Sequence, residues 1–207
     1  MGRKSLQITN EFRTSHIPEE QRYLCGMLKS SSHRLRAMEP TDLDLLFQLE
    51  NSPSEWWLGA QLAPLSRATL ERYIAGDHDL YRDLQLRLII ETRNGNAVGA
   101  VDLYQLDPRN RRAGVGVAIA PGHRKAGHAK AGLELLVSYA FEHLDLHQLW
   151  AEIPAMNDRS LTLFEKAGFT TGGRFTDWIR AEGTWHDAIW VQCISNFSAA
   201  TTPIHNE

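Results

Sequence analysis

Cysteine is nearly absent from the sequence: Cys25 and Cys193 are the only two in 207 residues, and they lie far apart. That excludes a disulfide framework and any cysteine-based metal spacing, and it fits a reducing compartment. Long apolar runs are missing too. No stretch of about 18 apolar residues occurs, so no transmembrane helix is expected. The basic N-terminus has no apolar core behind it, which argues against a secretory signal. Gly2 is followed by Leu6 where a myristoylation signal needs Ser or Thr. A basic excess is lacking as well. The 22 Lys and Arg against 25 Asp and Glu give a net charge of −3, which disfavours nucleic acid as a main partner. No repeat or low-complexity tract is present. The expectation is a soluble, cytoplasmic protein with no membrane, nucleic-acid or metal site.

What is present suits one globular domain. The hydrophobic fraction is 43%, enough for a core. Residues 1–31 are polar and read as an N-terminal extension, 32–193 as the folded domain, and 194–207 as a mobile tail. A short strand from His33 through Ala37 gives way at Glu39-Pro40, and a helix starts at Thr41, with Leu43, Leu46, Phe47 and Leu49 at helical spacing. Ser66 to Ile74 reads as a second helix. Leu84 to Thr92 and Ala97 to Leu106 form a hairpin around Asn94-Gly95-Asn96. Further strands are expected at Ala113–Ala120, Gln148–Ile153, Thr170–Ala181 and Trp185–Gln192. A helix of about four turns carries Ala129, Leu133, Val137, Ala140 and Leu144 on one face, and another runs from Asn157 to Gly168.

The chain is organised around Arg111 to Lys130. Here an apolar strand ends at Pro121-Gly122 and runs through Arg124-Lys125-Ala126-Gly127-His128-Ala129 into a helix. Backbone N–H groups at a helix start have no intrahelical partner, and the dipole favours negative charge there. Gly127 and Ala129 permit close approach by a phosphate, and Arg124 and Lys125 add positive charge. A pyrophosphate cradle and a βα turn that is merely basic both fit this segment taken alone. A second pattern stands downstream, from Asn157 through Ser160, Phe164 and Lys166 to Gly168-Phe169.

The R-x-x-G-x-A run (Arg124, Gly127, Ala129) and the N-x-x-S-x-x-x-F-x-K-x-G-F run, in this order, resemble the GNAT N-acetyltransferase superfamily. The resemblance implies an α/β (α+β) fold, with a mixed, mostly antiparallel sheet of six to seven strands, four main helices and a splayed central strand pair. It implies acetyl-CoA as acetyl donor. The pyrophosphate would be held by Arg124, Lys125, Ala126, Gly127, His128, Ala129 and Lys130, and the pantetheine arm and acetyl carbonyl by strand backbone at Val117, Ala118 and Ile119. Asn157 and Ser160, three apart on a helix, would line the thiol end, with Lys166 in the same motif. Asn157 also suits an N-cap and Ser160 an exposed helix position.

Phe164 departs from the pattern, because many relatives carry a tyrosine there that protonates the departing thiolate. A thiolate of pKa about 8.5 can leave without that acid. Asp102 falls where polyamine-acetylating relatives place an acid facing the acceptor, so it is a candidate to deprotonate or attract an amine; a solvent-facing carboxylate is the alternative. Glu91 is the other acid on a central strand. Trp56 and Trp57 read either as a wall of the acceptor cleft or as caps on the core. Gly114 stands where polyamine-acetylating relatives have an acid. The last hairpin, with Gly183-Thr184-Trp185-His186-Asp187-Ala188, is similar to both spermidine/spermine and ribosomal-protein N-terminal acetyltransferases. The expected acceptor is a polyamine or other small amine. A protein N-terminus, or no turnover at all in an acetyl-CoA-binding regulatory module, are the alternatives, and a homo-oligomer is left open.

Overall fold

The computed structural model describes residues 28–52 and 63–195. Seven strands form a single sheet in the order β1-β2-β3-β4-β5-β7-β6. They are β1 His33–Arg36, β2 Leu86–Thr92, β3 Ala97–Asp107, β4 Arg112–Ile119, β5 Gln148–Pro154, β6 Thr170–Ala181 and β7 Thr184–Ile194. Every neighbouring pair is antiparallel except β4 and β5. The helices are α1 Leu43–Glu50, α2 Arg67–Ile74, α3 Leu80–Asp83, α4 His128–Glu142 and α5 Asp158–Lys166. The expected α/β architecture is therefore present, with seven strands.

Local chemistry explains most boundaries. The expected helix start at Thr41 is a 3-10 turn, Pro40–Asp42, leading into α1. The Asp42 carboxylate accepts from the Glu39 N–H at 2.8 Å and satisfies a donor that the turn leaves free. Ser66 caps α2 by accepting from the Thr69 N–H. The one-turn α3 was not expected. Its cap is Asp79, which accepts from the N–H groups of Tyr81 and Arg82. That turn displaces the start of β2 from Leu84 to Leu86, with Leu84 itself left-handed at φ 52°. Residues 28–31, at the end of the expected extension, fold back on β1: Lys29 bridges Arg34, and the Leu35 N–H donates to Leu28.

The sheet is covered on both faces. On one face α4 buries Leu133, Leu136 and Ala140 against Ile90, Val101, Leu103 and Val115, and Phe164 of α5 joins the same core. On the other, Leu45 and Leu46 of α1 and Leu70 and Ile74 of α2 pack on Ile89 and Ala100. These second-face helices lie over β2 and β3, which leaves the far half of that face uncovered by any described helix.

One ion-pair cluster ties β1 to β2 and to the turn before α1. Arg36 grips Asp42 with both terminal nitrogens, at 2.7 and 2.8 Å, and donates through Nε to Glu91 at 2.5 Å. Arg34 takes the other Glu91 oxygen. Asp42 and Glu91 are only 2% and 5% exposed. Burial pushes both carboxyls up, but the guanidiniums more than offset it, and both sit below their ordinary values. A lowered folded-state pKa means that the unfolded chain binds protons first. The stability this cluster contributes is therefore present above the ordinary carboxylate range and lost as pH falls through the folded pKa values. Arg36→Met leaves two buried carboxylates short of a partner and is expected to cost about 3–5 kcal/mol at pH 7. In urea unfolding that cost shrinks as pH is lowered toward 4.

Candidate functional site

The sheet is broken at its centre. β4 and β5 pair only from Arg112 to Gly114 against Gln148 to Trp150. From Val115 onward β4 keeps β3 on one side and, among the described residues, has no strand on the other. Burial follows the break: Ala113 to Val115 are buried, whereas Val117, Ala118 and Ile119 are partly or fully exposed. The Ala120 N–H donates to Val98 of β3 at 3.0 Å, so alternate residues of β4 face β3. By that alternation Ala118 turns its backbone to β3, whereas Val117 and Ile119 present N–H and C=O to the gap. The Ile119 carbonyl accepts from Arg124 Nε at 3.0 Å. The arginine that the sequence assigns to the cradle thus also secures the open strand end.

The cradle has the expected form. Pro121–His123 makes a 3-10 turn, Lys125 is left-handed at φ 67°, and Gly127 is the N-cap of α4 at φ 83°. No described side chain caps this helix. Its first intrahelical bond is from the Ala131 N–H to Gly127, so the N–H groups of His128, Ala129 and Lys130 have no helical acceptor. Arg124 is half-buried, Lys125, Ala126 and Gly127 are exposed, and Lys130 forms an exposed pair with Glu134. His128 hydrogen-bonds His33 of β1 between ring nitrogens at 2.7 Å, and His123 lies beside it. Burial, then the charge of His128, holds His33 below its ordinary pKa.

After β5, Asn157 caps α5 by accepting from the Ser160 N–H at 3.1 Å. Ser160 is half-buried and Lys166 exposed in the last turn. Phe164 is 3% exposed and packs edge-on against Phe169, at 4.9 Å between ring centres. Its ring is part of the main core.

On the face of α1 and α2, Asp102 and Tyr104 project from β3. Arg87 donates to both Asp102 oxygens and to Glu50. Tyr104 reaches across β4, where its ring occupies the space a Gly114 side chain would need: a Cβ there would lie 2.3 Å from Cε2. The absence of a side chain at 114 thus has a steric cause. The Tyr104 phenol lies near Glu152, just where β5 has left β4, and burial, then Glu152 and Asp102, push this phenol up to about 12. Trp150 lies edge-on to Tyr104 and stacks on Trp190 at 4.3 Å. Glu152, paired across β5 and β7 with Trp190, makes no ion pair among the described residues.

Sequence reasoning missed Tyr104, Trp150 and Glu152. The signal for Glu152 was a lone acid inside an otherwise apolar strand. Glu91, expected to meet the acceptor, has both oxygens on Arg34 and Arg36. Trp56 and Trp57 lie outside the described residues.

Two variants test this geometry. A Cβ at Gly127 meets nothing within 4 Å, so Gly127→Glu adds its charge to the cradle without a clash. The left-handed backbone costs the variant about 1–2 kcal/mol, and calorimetry is expected to find acetyl-CoA binding abolished in a folded protein. Gly114→Ala is expected to destabilise by about 1–3 kcal/mol through overpacking. In a Tyr104→Ala background most of that loss disappears, giving a coupling of about 0.5–3 kcal/mol in a double-mutant cycle.

Comparison with known proteins gives the family. A family model described as an acetyltransferase (GNAT) domain matches residues 33–170. The spermidine N(1)-acetyltransferase of Vibrio cholerae is 26% identical over 160 residues, covering 76% of this chain and 90% of that protein. YdaF of Bacillus subtilis, assigned as a ribosomal N-acetyltransferase, is 29% identical over 161 residues, covering 75% and 87%. A dodecameric structure of the Vibrio cholerae spermidine N-acetyltransferase superposes with a TM-score of 0.67 at 26% identity, covering 80% of this chain and 95% of that one. The acetyl donor of this family is acetyl-CoA, and the family model spans the cradle, the strand gap and the Asn157 helix together. The chain belongs to the GNAT acetyltransferase family.

Proposed function

We propose that the protein acetylates a polyamine or another small cationic amine, with Glu152 as the group that takes the amine proton. The observation that carries this reading is the position of Glu152. It follows the last β4–β5 pair by two residues, lies on the face opposite α4, and has no cation bound to it among the described residues. Val117 and Ile119 would align the donor through the gap, and the N–H groups of His128, Ala129 and Lys130 would hold its phosphates. A cationic amine of pKa about 10 must lose a proton before it attacks. Glu152, directly or through one water, accepts that proton; the nitrogen bonds to the acetyl carbon and the C–S bond breaks. Phe164 has no proton to give, so the thiolate takes one from solvent. Asp102, held by Arg87, contributes negative charge that attracts the amine.

Similarity to spermidine acetyltransferases supports a polyamine. The aromatic rings of Tyr104, Trp150 and Trp190 favour a second reading, an acceptor with an apolar group such as a protein N-terminus, as the likeness to YdaF also suggests. The likeness to a dodecamer supports a homo-oligomer. Measuring CoA release with polyamines, amino sugars and N-terminal peptides separates these readings, and tight acetyl-CoA binding without release in any of them marks a regulatory module. Glu152→Gln is expected to lower kcat about 10²–10⁴-fold and to move the rate profile to higher pH, because more of the amine must arrive neutral. Asp102→Asn is expected to act mainly on KM. An Asp102→Asn loss in kcat larger than that of Glu152→Gln would exchange the two roles.

A further inference from the structure

The rings at the strand gap do not end at Trp190. Phe175 of β6 meets Trp190 edge-on at 5.9 Å, and Trp178 stacks on Phe175 at 4.8 Å with an interplanar angle of 27°. Five aromatic side chains thus run from Tyr104, at the point where β5 leaves β4, across β5 and β7 to the edge strand β6. Trp178, the outermost, is 52% exposed.

The last step of this run requires a departure from strand geometry. Residues three apart on a regular strand point to opposite faces, so Trp178 would turn away from Phe175. A register shift between Phe175 and Ile179 brings it back to the same face. The shift is built around Asp177, a non-glycine residue left-handed at φ 51°. Its N–H donates to Asp187 at 2.9 Å, and Asp187 is in turn held by Arg174. A fixed bulge and an unfavourable backbone conformation are thus spent on extending a row of rings into solvent.

We infer that this row is a subsite for the distal, positively charged arm of the acceptor amine, whose reacting nitrogen lies at Glu152. The inference rests on the amine-acceptor reading above. The charges agree: the Glu152 carboxylate, bound to no cation among the described residues, stands at the inner end, and the Trp and Phe faces beyond it attract ammonium groups. An acceptor that fills the row has at least two cationic nitrogens separated by methylenes. A monoamine occupies only the inner end.

The test compares spermidine with butylamine on the full chain, in the wild type, Trp178→Ala and Trp178→Phe. CoA release gives kcat and KM, calorimetry of spermidine into CoA-loaded protein gives Kd, and ultracentrifugation gives oligomeric state. Trp178→Ala is expected to raise KM and Kd for spermidine roughly 2–30-fold, with kcat and the butylamine constants unchanged, and Trp178→Phe to recover part of the loss. Unchanged spermidine affinity in folded Trp178→Ala, or an equal loss for butylamine, overturns the subsite. A variant that changes only oligomeric state assigns Trp178 to a contact between copies and also overturns it. If the wild type releases no CoA with any amine, the acetyl-transfer reading fails by itself. Spermidine binding then decides the subsite separately: binding that depends on Trp178 retains it, and no binding removes it.

Discussion

A β-ladder that stops after three residue pairs is the constraint on which the rest of this molecule depends. Backbone N–H and C=O groups removed from water need partners, and a strand that leaves its neighbour in mid-sheet exposes a row of them. Here side chains fill in at both strands of the break. Arg124 takes the Ile119 carbonyl on β4, and the Tyr104 ring packs edge-on against Trp150 of β5. Tyr104 can reach that far only because Gly114 leaves room beneath its ring. What remains open, the N–H and C=O of Val117 and the N–H of Ile119, is a strand edge facing a gap, able to pair with an extended amide-bearing molecule as another strand would.

The distribution of charge separates structure from chemistry. Asp42 and Glu91 are buried and bound to arginines, and Asp102 shares Arg87 with Glu50. Asp42 and Glu91 hold β1, β2 and the turn before α1 together, and the arginines keep both carboxyls below their ordinary values. Glu152 lies among aromatic rings with no such partner among the described residues. That difference in partners is what sets Glu152 apart from the structural acids in the proposed reaction.

Much of this was legible in the sequence. The strand from Ala113, its stop at Pro121-Gly122, the basic turn and the uncapped helix follow from local rules, and each stands within a residue or two of its expected place. The helix from Asn157 did so too, because its cap and its glycine stop are contiguous signals. What could not be read depends on pairing across strands. Nothing near Gly114 in sequence announces that Tyr104, ten residues earlier, fills its side-chain space. Glu91 and Glu152 look alike along the chain, each a lone acid in an apolar strand. Only the register of β1 on β2, which supplies Arg34 and Arg36, and the ending of β4 beside β5 distinguish them. Likewise the bulge at Asp177 is invisible until the partner strand shows that the pairing has shifted.

The hydrogen bond between His33 and His128 joins the first residue of β1 to the first residue of α4, 95 positions apart. The helix start proposed to receive the donor is thus fastened to the edge strand, and through it to Arg34, Arg36 and the turn before α1. The contact at the helix start exists only while the N-terminal strand is docked. Conversely, a ligand seated on the helix start would slow opening of that strand. Amide exchange along Leu35 and Arg36 would then report occupancy of a site to which neither residue belongs.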